Sequence, residues 1–345
     1  MPRPTVEIGS GPLRGARRSR VATHGSIPFT GWRVHPLDLT KDARAAGAAL
    51  GVAALVFAAD PAHAQALEPR SYANAPVGLN FALAAYGYTE GSVAVDPSLP
   101  ISNGHLHTNE TALGYVHSLD AWGDSAKVDV VVPYIWLAGS ALEAGQPKTR
   151  DVSGIGDSVF RASVDFYGAP ALSAKEFADY RQDLIVGASL QVTAPFSQYD
   201  DTRLVNLGTN RWSFKPELGM SKVLGPWTLE LAPAVTFYTV NHDFFNGHTL
   251  AQDPLYSAQG HVIYNFPKGI WLALDGTKYA GGRTTINGVR QDTWQSTTRA
   301  GLTVSLPIDR NNSLKFSGST GASSLSGGDF TTVGVAWQYR WGAGF

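Results

Sequence analysis

His105 and His107 stand two residues apart in ISNGHLHTNE. On an extended strand they share a face and could grip a metal ion. They adjoin Asn103-Gly104, however, and no third histidine or carboxylate cluster lies near them in sequence, so a solvated pair at a loop edge is expected. Gly154-Ile155-Gly156-Asp157 is glycine-rich enough to suggest a phosphate loop, but no helix follows it, and a turn before a strand explains those glycines better. G-x-S-x-G, H-E-x-x-H and G-x-x-x-x-G-K-[ST] are absent. The chain has no cysteine, which excludes thiol catalysis, disulfides, Cys-ligated zinc and iron–sulfur clusters together. The expectation is therefore a protein that is not an enzyme, with no cofactor and no catalytic, cofactor-binding or metal-ligating residue to assign.

The charges are more informative. Lys127, Asp129, Arg161, Asp165, Arg211, Lys215, Glu217, Glu230, Asp275, Arg299, Lys315 and Arg340 all fall on the polar faces of alternating segments. In lipid each would cost about 2–4 kcal/mol at the midplane, so they are candidate lumen-lining residues. They could form an ion-pair lattice or a polar path that selects solutes.

Strands must place these side chains, and the sequence supplies them. Phe214, Pro216, Leu218 and Met220 alternate with Ser213, Lys215, Glu217 and Gly219. After the short turn Leu-Gly-Pro, Trp227, Leu229 and Leu231 alternate with Thr228 and Glu230. Period 2 across a tight turn is a hairpin. The same pattern gives about twelve strands, at 78–90, 105–118, 125–138, 157–167, 181–196, 211–222, 226–241, 254–266, 269–281, 291–307, 312–324 and 329–341. Several exceed ten residues, whereas soluble strands average about five or six and tilted membrane strands need about 9–11. Connections alternate between short (119–124, 223–225, 267–268, 308–311) and long and rich in Gly, Asn, Asp and Pro (91–104, 139–156, 197–210, 242–253, 282–290). The exception is 168–180, long where a short turn is due, with room for a helical turn around Ser173 to Ala178. Aromatic strand ends at Tyr134, Trp136, Trp212, Trp227, Tyr264, Phe266 and Trp337 to Trp341 fit an interfacial girdle. The fold class is thus all-β, an antiparallel transmembrane β-barrel with both termini periplasmic.

Charged residues make up only 16% of the chain and mean hydropathy is −0.09, near the neutral average of strands with one lipid-facing side. Residues 1–64 hold eight of the 27 Lys/Arg and four of the 28 Asp/Glu, leaving 19 basic and 24 acidic residues beyond. A basic leader on an acidic remainder fits export and argues against a nucleic-acid partner. Ala45 to Ala59 is an uncharged apolar run behind Lys41 and Arg44, and the small residues ending at Ala64 and Ala66 give two cleavage sites. Residues 1–64 read as a leader with a signal peptide, 65–345 as the barrel. Residues 1–40, Arg- and Pro-rich ahead of a complete signal, fit a mis-assigned start codon. The alternating aromatic strand Val333 to Trp341 reaches Phe345 on the same parity, the kind of terminus that barrel-assembly machinery reads.

LEPRSYANAPVGLNFALAAYGY (67–88), DPSLPI (96–101), VVPYIWLAGSA (131–141), DVSGIGDSVFRASVDFYGAP (151–170), VGASLQVTAPFSQYD (186–200), GTNRWSFKPELGMSK (208–222) and VGVAWQYRW (333–341) together resemble the outer-membrane transporter family "MetA-pathway of phenol degradation". The resemblance covers nearly all of 67–345. It implies a barrel in the bacterial outer membrane, surrounded by lipid, that admits small aromatic or hydrophobic organic solutes. It carries no established site residues. The reading that results is a channel for passive uptake, with Val152 to Asp157 and loop 197–210 as candidate constrictions. Two alternatives stay open: a phospholipase-type barrel with a Ser-His-Asn set on its outer wall, for which His117 and His261 are the strand histidines, and a plugged structural or adhesion barrel.

Overall fold

The computed structural model describes residues 68–93, 101–143, 145–324 and 329–344. The apolar leader, Ala64, Ala66 and Phe345 lie outside the described residues. In chain order the strands are β1 (Leu79–Val93), β2 (Ile101–Ala121), β3 (Asp124–Glu143), β4 (Gln146–Ile155), β5 (Ser158–Pro170), β6 (Leu184–Ala194), β7 (Ser213–Leu224), β8 (Trp227–Tyr238), β9 (Asn241–Phe244), β10 (His248–Gln252), β11 (Leu255–Asn265), β12 (Trp271–Gly281), β13 (Thr284–Ile286), β14 (Val289–Arg290), β15 (Gln295–Pro307), β16 (Asn312–Ser324) and β17 (Asp329–Gly342). One helical turn, α1 (Ala174–Phe177), lies between β5 and β6.

Twelve of these strands close a ring: β1, β2, β3, β5, β6, β7, β8, β11, β12, β15, β16 and β17, which pairs back onto β1 from Leu79↔Gly342 to Ser92↔Asp329. Every pairing is antiparallel between chain neighbours in the ring. Closure leaves no open edge, the condition for placing a sheet in hydrocarbon, where no water is available to satisfy backbone groups. The alternation runs opposite to that of a soluble protein. In β8, Trp227, Leu229 and Leu231 are exposed while Thr228 and Glu230 are buried. Leu218 in β7 and Leu274 in β12 are 58% and 62% exposed. Apolar side chains point outward because lipid, not water, lies there. Replacing Leu218 by arginine is accordingly expected to destabilise the barrel by about 2–4 kcal/mol in lipid, read as a lowered urea midpoint for unfolding from liposomes.

Two aromatic belts mark the limits of the apolar band. At the end with short turns, Trp227, Tyr264 and Phe266 meet edge to face at 4.8 and 4.7 Å, and Trp337, Tyr339 and Trp341 stack along β17 at 6.1 and 5.6 Å. At the end with long loops, Phe160, Phe196 and Trp212 form an edge-to-face row, and Tyr134 lies 4.7 Å from Trp136. Tyr and Trp suit this level because a polar tip reaches water while the ring stays apolar. The β2–β3 turn is Trp122-Gly123, both at positive φ (59 and 94), the twist that a two-residue hairpin requires.

Two features depart from the sequence expectation. The segment 139–156, expected as a loop, is largely strand: the end of β3 pairs with β4 from Tyr134↔Ile155 to Glu143↔Gln146. β2 and β3 reach 21 and 20 residues, so this hairpin continues past the aromatic belt. The chain then bends at Gly156-Asp157, where Gly156 N–H donates to the Pro133 carbonyl at 3.0 Å, and resumes on the lower part of β3 as β5. β6 pairs with β5 and not with β4. Second, the loops at 242–253 and 282–290 are not irregular but build a four-stranded sheet, β14-β13-β10-β9. The helical turn expected around Ser173 to Ala178 is present as α1, closed by a capping box in which Ser173 and Glu176 each satisfy the other's backbone N–H.

Candidate functional site: the occluded lumen

The segment preceding β1, residues 68–78, enters the barrel at the short-turn end and packs against its inner wall. Val77 N–H donates to the Leu172 carbonyl at 2.8 Å and Gly78 N–H to that of Ser118 at 2.9 Å. Asn74 Nδ2 donates to the Pro170 carbonyl at 3.1 Å, so the long turn after β5 braces the plug's stem. Tyr72 is 4% exposed; its hydroxyl donates to Glu217 Oε1 at 3.0 Å and lies 3.3 Å from Ser189 Oγ. Its ring sits over Gly187 of β6 and Gly219 of β7, where a Cβ would collide with it. Burial and the Glu217 carboxylate push the Tyr72 phenol upward, so it remains a donor at neutral pH.

Charge holds the rest of the segment. Arg161 binds Glu68 and, through Nε, Asp129 Oδ1 at 3.0 Å. Lys127 Nζ donates to the Ser71 carbonyl at 2.8 Å and stands 3.7 Å from Asp165, which is 1% exposed. Lys215 lies 3.1 Å from Glu217. Glu230 accepts from Arg70 N–H at 2.7 Å and from Ser221 Oγ at 2.9 Å. The Arg70 guanidinium bonds Asn265 and lies 5.2 Å from the Trp271 ring. A small cavity remains beside Tyr72, bounded by Glu217, Glu230, Ala232, Gln259 and His261.

Burial would raise the Glu68 carboxyl, but Arg161, with Lys215 and Lys315 behind it, holds it at about 2 against an ordinary 4.5. Because the seated value is the lower one, this contribution to seating is complete above about pH 4.5 and is lost as pH falls toward 2. Conductance in a planar bilayer is expected to stay flat between about pH 7 and pH 5 and to rise below that. A Glu68→Gln variant should lose this pH step.

Seven of the twelve charges named from sequence thus gather at the plug: Lys127, Asp129, Arg161, Asp165, Lys215, Glu217 and Glu230. Lys315 acts on Glu68 electrostatically. Asp275 bonds His261 Nδ1 at 2.6 Å and accepts from Thr303 Oγ1 at 2.7 Å. Arg299 donates to Ser319 at 3.0 Å, and Arg340 Nε to the Arg310 carbonyl in the turn after β15 at 2.7 Å. Arg211 lies toward the long loops. Of the candidate constrictions, Val152 to Ile155 is strand. Asp157 ties down loop 197–210, accepting from Ser197 Oγ at 2.7 Å and Thr209 N–H at 2.8 Å. His105 contacts Glu90 at 3.2 Å. His261 is 5% exposed within the barrel, and His117 on the outer face bonds Asn80 Oδ1 at 2.9 Å. Among the described residues, no serine is hydrogen-bonded to either imidazole. Glu68, Arg70 and Tyr72 were not legible as site residues, since their partners lie up to 195 positions away and the segment has no periodicity.

A closed twelve-stranded barrel with an apolar outer band, aromatic belts and a polar interior defines a β-barrel of the bacterial outer membrane. The chain belongs to the family described as "Putative MetA-pathway of phenol degradation", whose profile matches residues 84–338. Among solved structures it is similar to the COG4313 outer membrane channel from Pseudomonas putida F1. The identity is 22%, the match covers 80% of this chain and 100% of that one, and the TM-score is 0.69. It also aligns with the β domain of the Bordetella autotransporter BrkA at 10% identity, 77% and 100% coverage and TM-score 0.47. No curated protein sequence matches the chain.

Proposed function

We propose that this barrel is a channel for passive uptake of small, aromatic or hydrophobic organic compounds. In this reading the long loops face the outside and both termini face the periplasm. The twelve charges and their partners line the path, and Phe345 is the assembly signal. The observation that carries it is the kind of contact filling the lumen. A short non-strand segment is held there by ion pairs and hydrogen bonds to the wall, with a small apolar cluster of Tyr72, Ala169, Ile185 and Ala232 beside them. The barrel wall persists when that segment leaves, and a polar passage opens. The aromatic or hydrophobic cargo follows from the family.

Liposome swelling with phenol and benzoate tests the proposal, with arabinose as a hydrophilic comparison. Uptake of the aromatic solutes above an empty-liposome control is expected. The same filled lumen also favours a plugged structural barrel. No permeability in the native chain and none in a variant whose plug is unseated would decide for that reading and against a channel.

A further inference from the structure

Arg161, Lys127 and Lys215 each have a carboxylate at 3.0, 3.7 and 3.1 Å. Arg211 is treated differently. It precedes β7 by two residues, where Thr239 N–H donates to the Trp212 carbonyl at 2.9 Å and prolongs the β7–β8 pairing beyond the strands. Trp212 is 41% exposed on the outer face, which turns Arg211 inward, and Arg211 is 8% exposed. Its guanidinium lies over the Tyr238 ring, 4.5 Å from the centroid. Nη2 donates to the amide oxygen of Gln252 on β10, whose Nε2 donates to the Gly282 carbonyl at 2.8 Å. Nε and Nη1 have no hydrogen-bond partner.

Asp157 is the carboxylate that acts on Arg211, but from a distance, and its oxygens are occupied. Oδ1 accepts from Ser197, Oδ2 from the Thr209 N–H and hydroxyl. Tyr199 and Tyr238, the other titratable groups that act on it, are phenols. A buried cation with one neutral acceptor and two idle nitrogens is an unfavourable arrangement, and an incoming anion relieves it. A carboxylate bonds a guanidinium far better than a primary amide does. The neighbouring Tyr238 ring offers an aromatic surface beside the charge.

We propose that Arg211, with Tyr238 and Gln252, is a recognition site for the carboxylate of a small aromatic acid in the loop-side half of the lumen. The carboxylate takes the guanidinium from Gln252, and the aromatic ring packs beside Tyr238. Because Gln252 belongs to the four-stranded loop sheet, binding also removes one of that sheet's ties to the barrel wall. This deepens the uptake reading, in that the acid is cargo, but binding is measured apart from transport.

The test is isothermal titration of the purified full-length protein in detergent with benzoate and with benzamide, its neutral counterpart. Benzoate is expected to bind about tenfold or more tighter than benzamide. Arg211→Gln should abolish that preference and Arg211→Lys should keep part of it. Gln252→Ala, which removes the neutral competitor and keeps the charge, should bind benzoate more tightly than the native chain. Heat-modifiable mobility in gels verifies that each variant is folded. No preference for benzoate in the native protein, or an equal preference in folded Arg211→Gln, overturns the site. If Arg211→Gln does not fold, unchanged or weaker benzoate binding by Gln252→Ala overturns it. Benzoate binding without benzoate permeation would instead remove the uptake reading and leave the site.

Discussion

Replacing Tyr72 by alanine is expected to open the barrel to ions. The ring is buried, resting on Gly187 and Gly219, and its hydroxyl is spent on Glu217. Truncating a buried aromatic side chain costs about 3–5 kcal/mol. Even about 3 kcal/mol shifts the ratio of seated to unseated plug by about 100-fold. Gly219→Val attacks the same contact from the wall, because its Cβ would occupy the space of the Tyr72 ring. Single-channel recordings should show longer and larger openings in both variants than in the native chain. The wall is untouched in the first and altered by one interior side chain in the second, so both should retain heat-modifiable mobility. Native-like conductance in both folded variants would sink the idea that this segment closes the lumen.

The second large effect is expected at Arg161. It is the shared partner of Glu68 on the plug and Asp129 on the wall. Arg161→Met would leave two carboxylates facing each other without a cation between them. Breaking a fully buried pair by removing one member costs about 3–5 kcal/mol, and the cost here is less because the Glu68 side chain is 36% exposed to screening solvent. The loss should divide between a lower unfolding temperature of the barrel and a higher conductance. Combining it with Glu68→Gln separates the two. Removing the plug's carboxylate should restore part of the unfolding temperature and none of the closure. If the double variant is as unstable as the single one, Glu68 is not the group that Arg161 serves.

The wall was legible and the plug was not, for one physical reason. A membrane strand writes its environment into every second residue, so Trp227, Leu229 and Leu231 against Thr228 and Glu230 can be read locally. The inward charges follow from the same parity. Residues 68–78 carry no such rhythm, since their surroundings are set by strands that fold together from more than a hundred positions away. The unexpectedly long connection at 168–180 is the visible hint: its Leu172 and Pro170 carbonyls accept from the plug's stem, a role that its length alone does not specify. The β4 extension was hidden for the opposite reason. Gln146 to Ile155 reads as loop by composition, yet β3 offers it a ready ladder. The idle nitrogens of Arg211 depend on side-chain geometry that no spacing encodes.

The plug is joined to the wall at Gly78-Leu79, only six residues beyond Tyr72, and that junction is itself pinned by Ser118, whose Oγ accepts from Leu79 N–H at 2.9 Å. An unseated segment on so short a leash cannot diffuse away. It searches a volume not much larger than the lumen mouth, at an effective concentration on the order of millimolar. Reclosure is therefore a first-order event, indifferent to how many copies of the protein share the membrane. A free peptide of residues 68–78 offered to a barrel lacking its own would need to approach that millimolar level to close it. A leash this short makes a stopper that reseats after every opening.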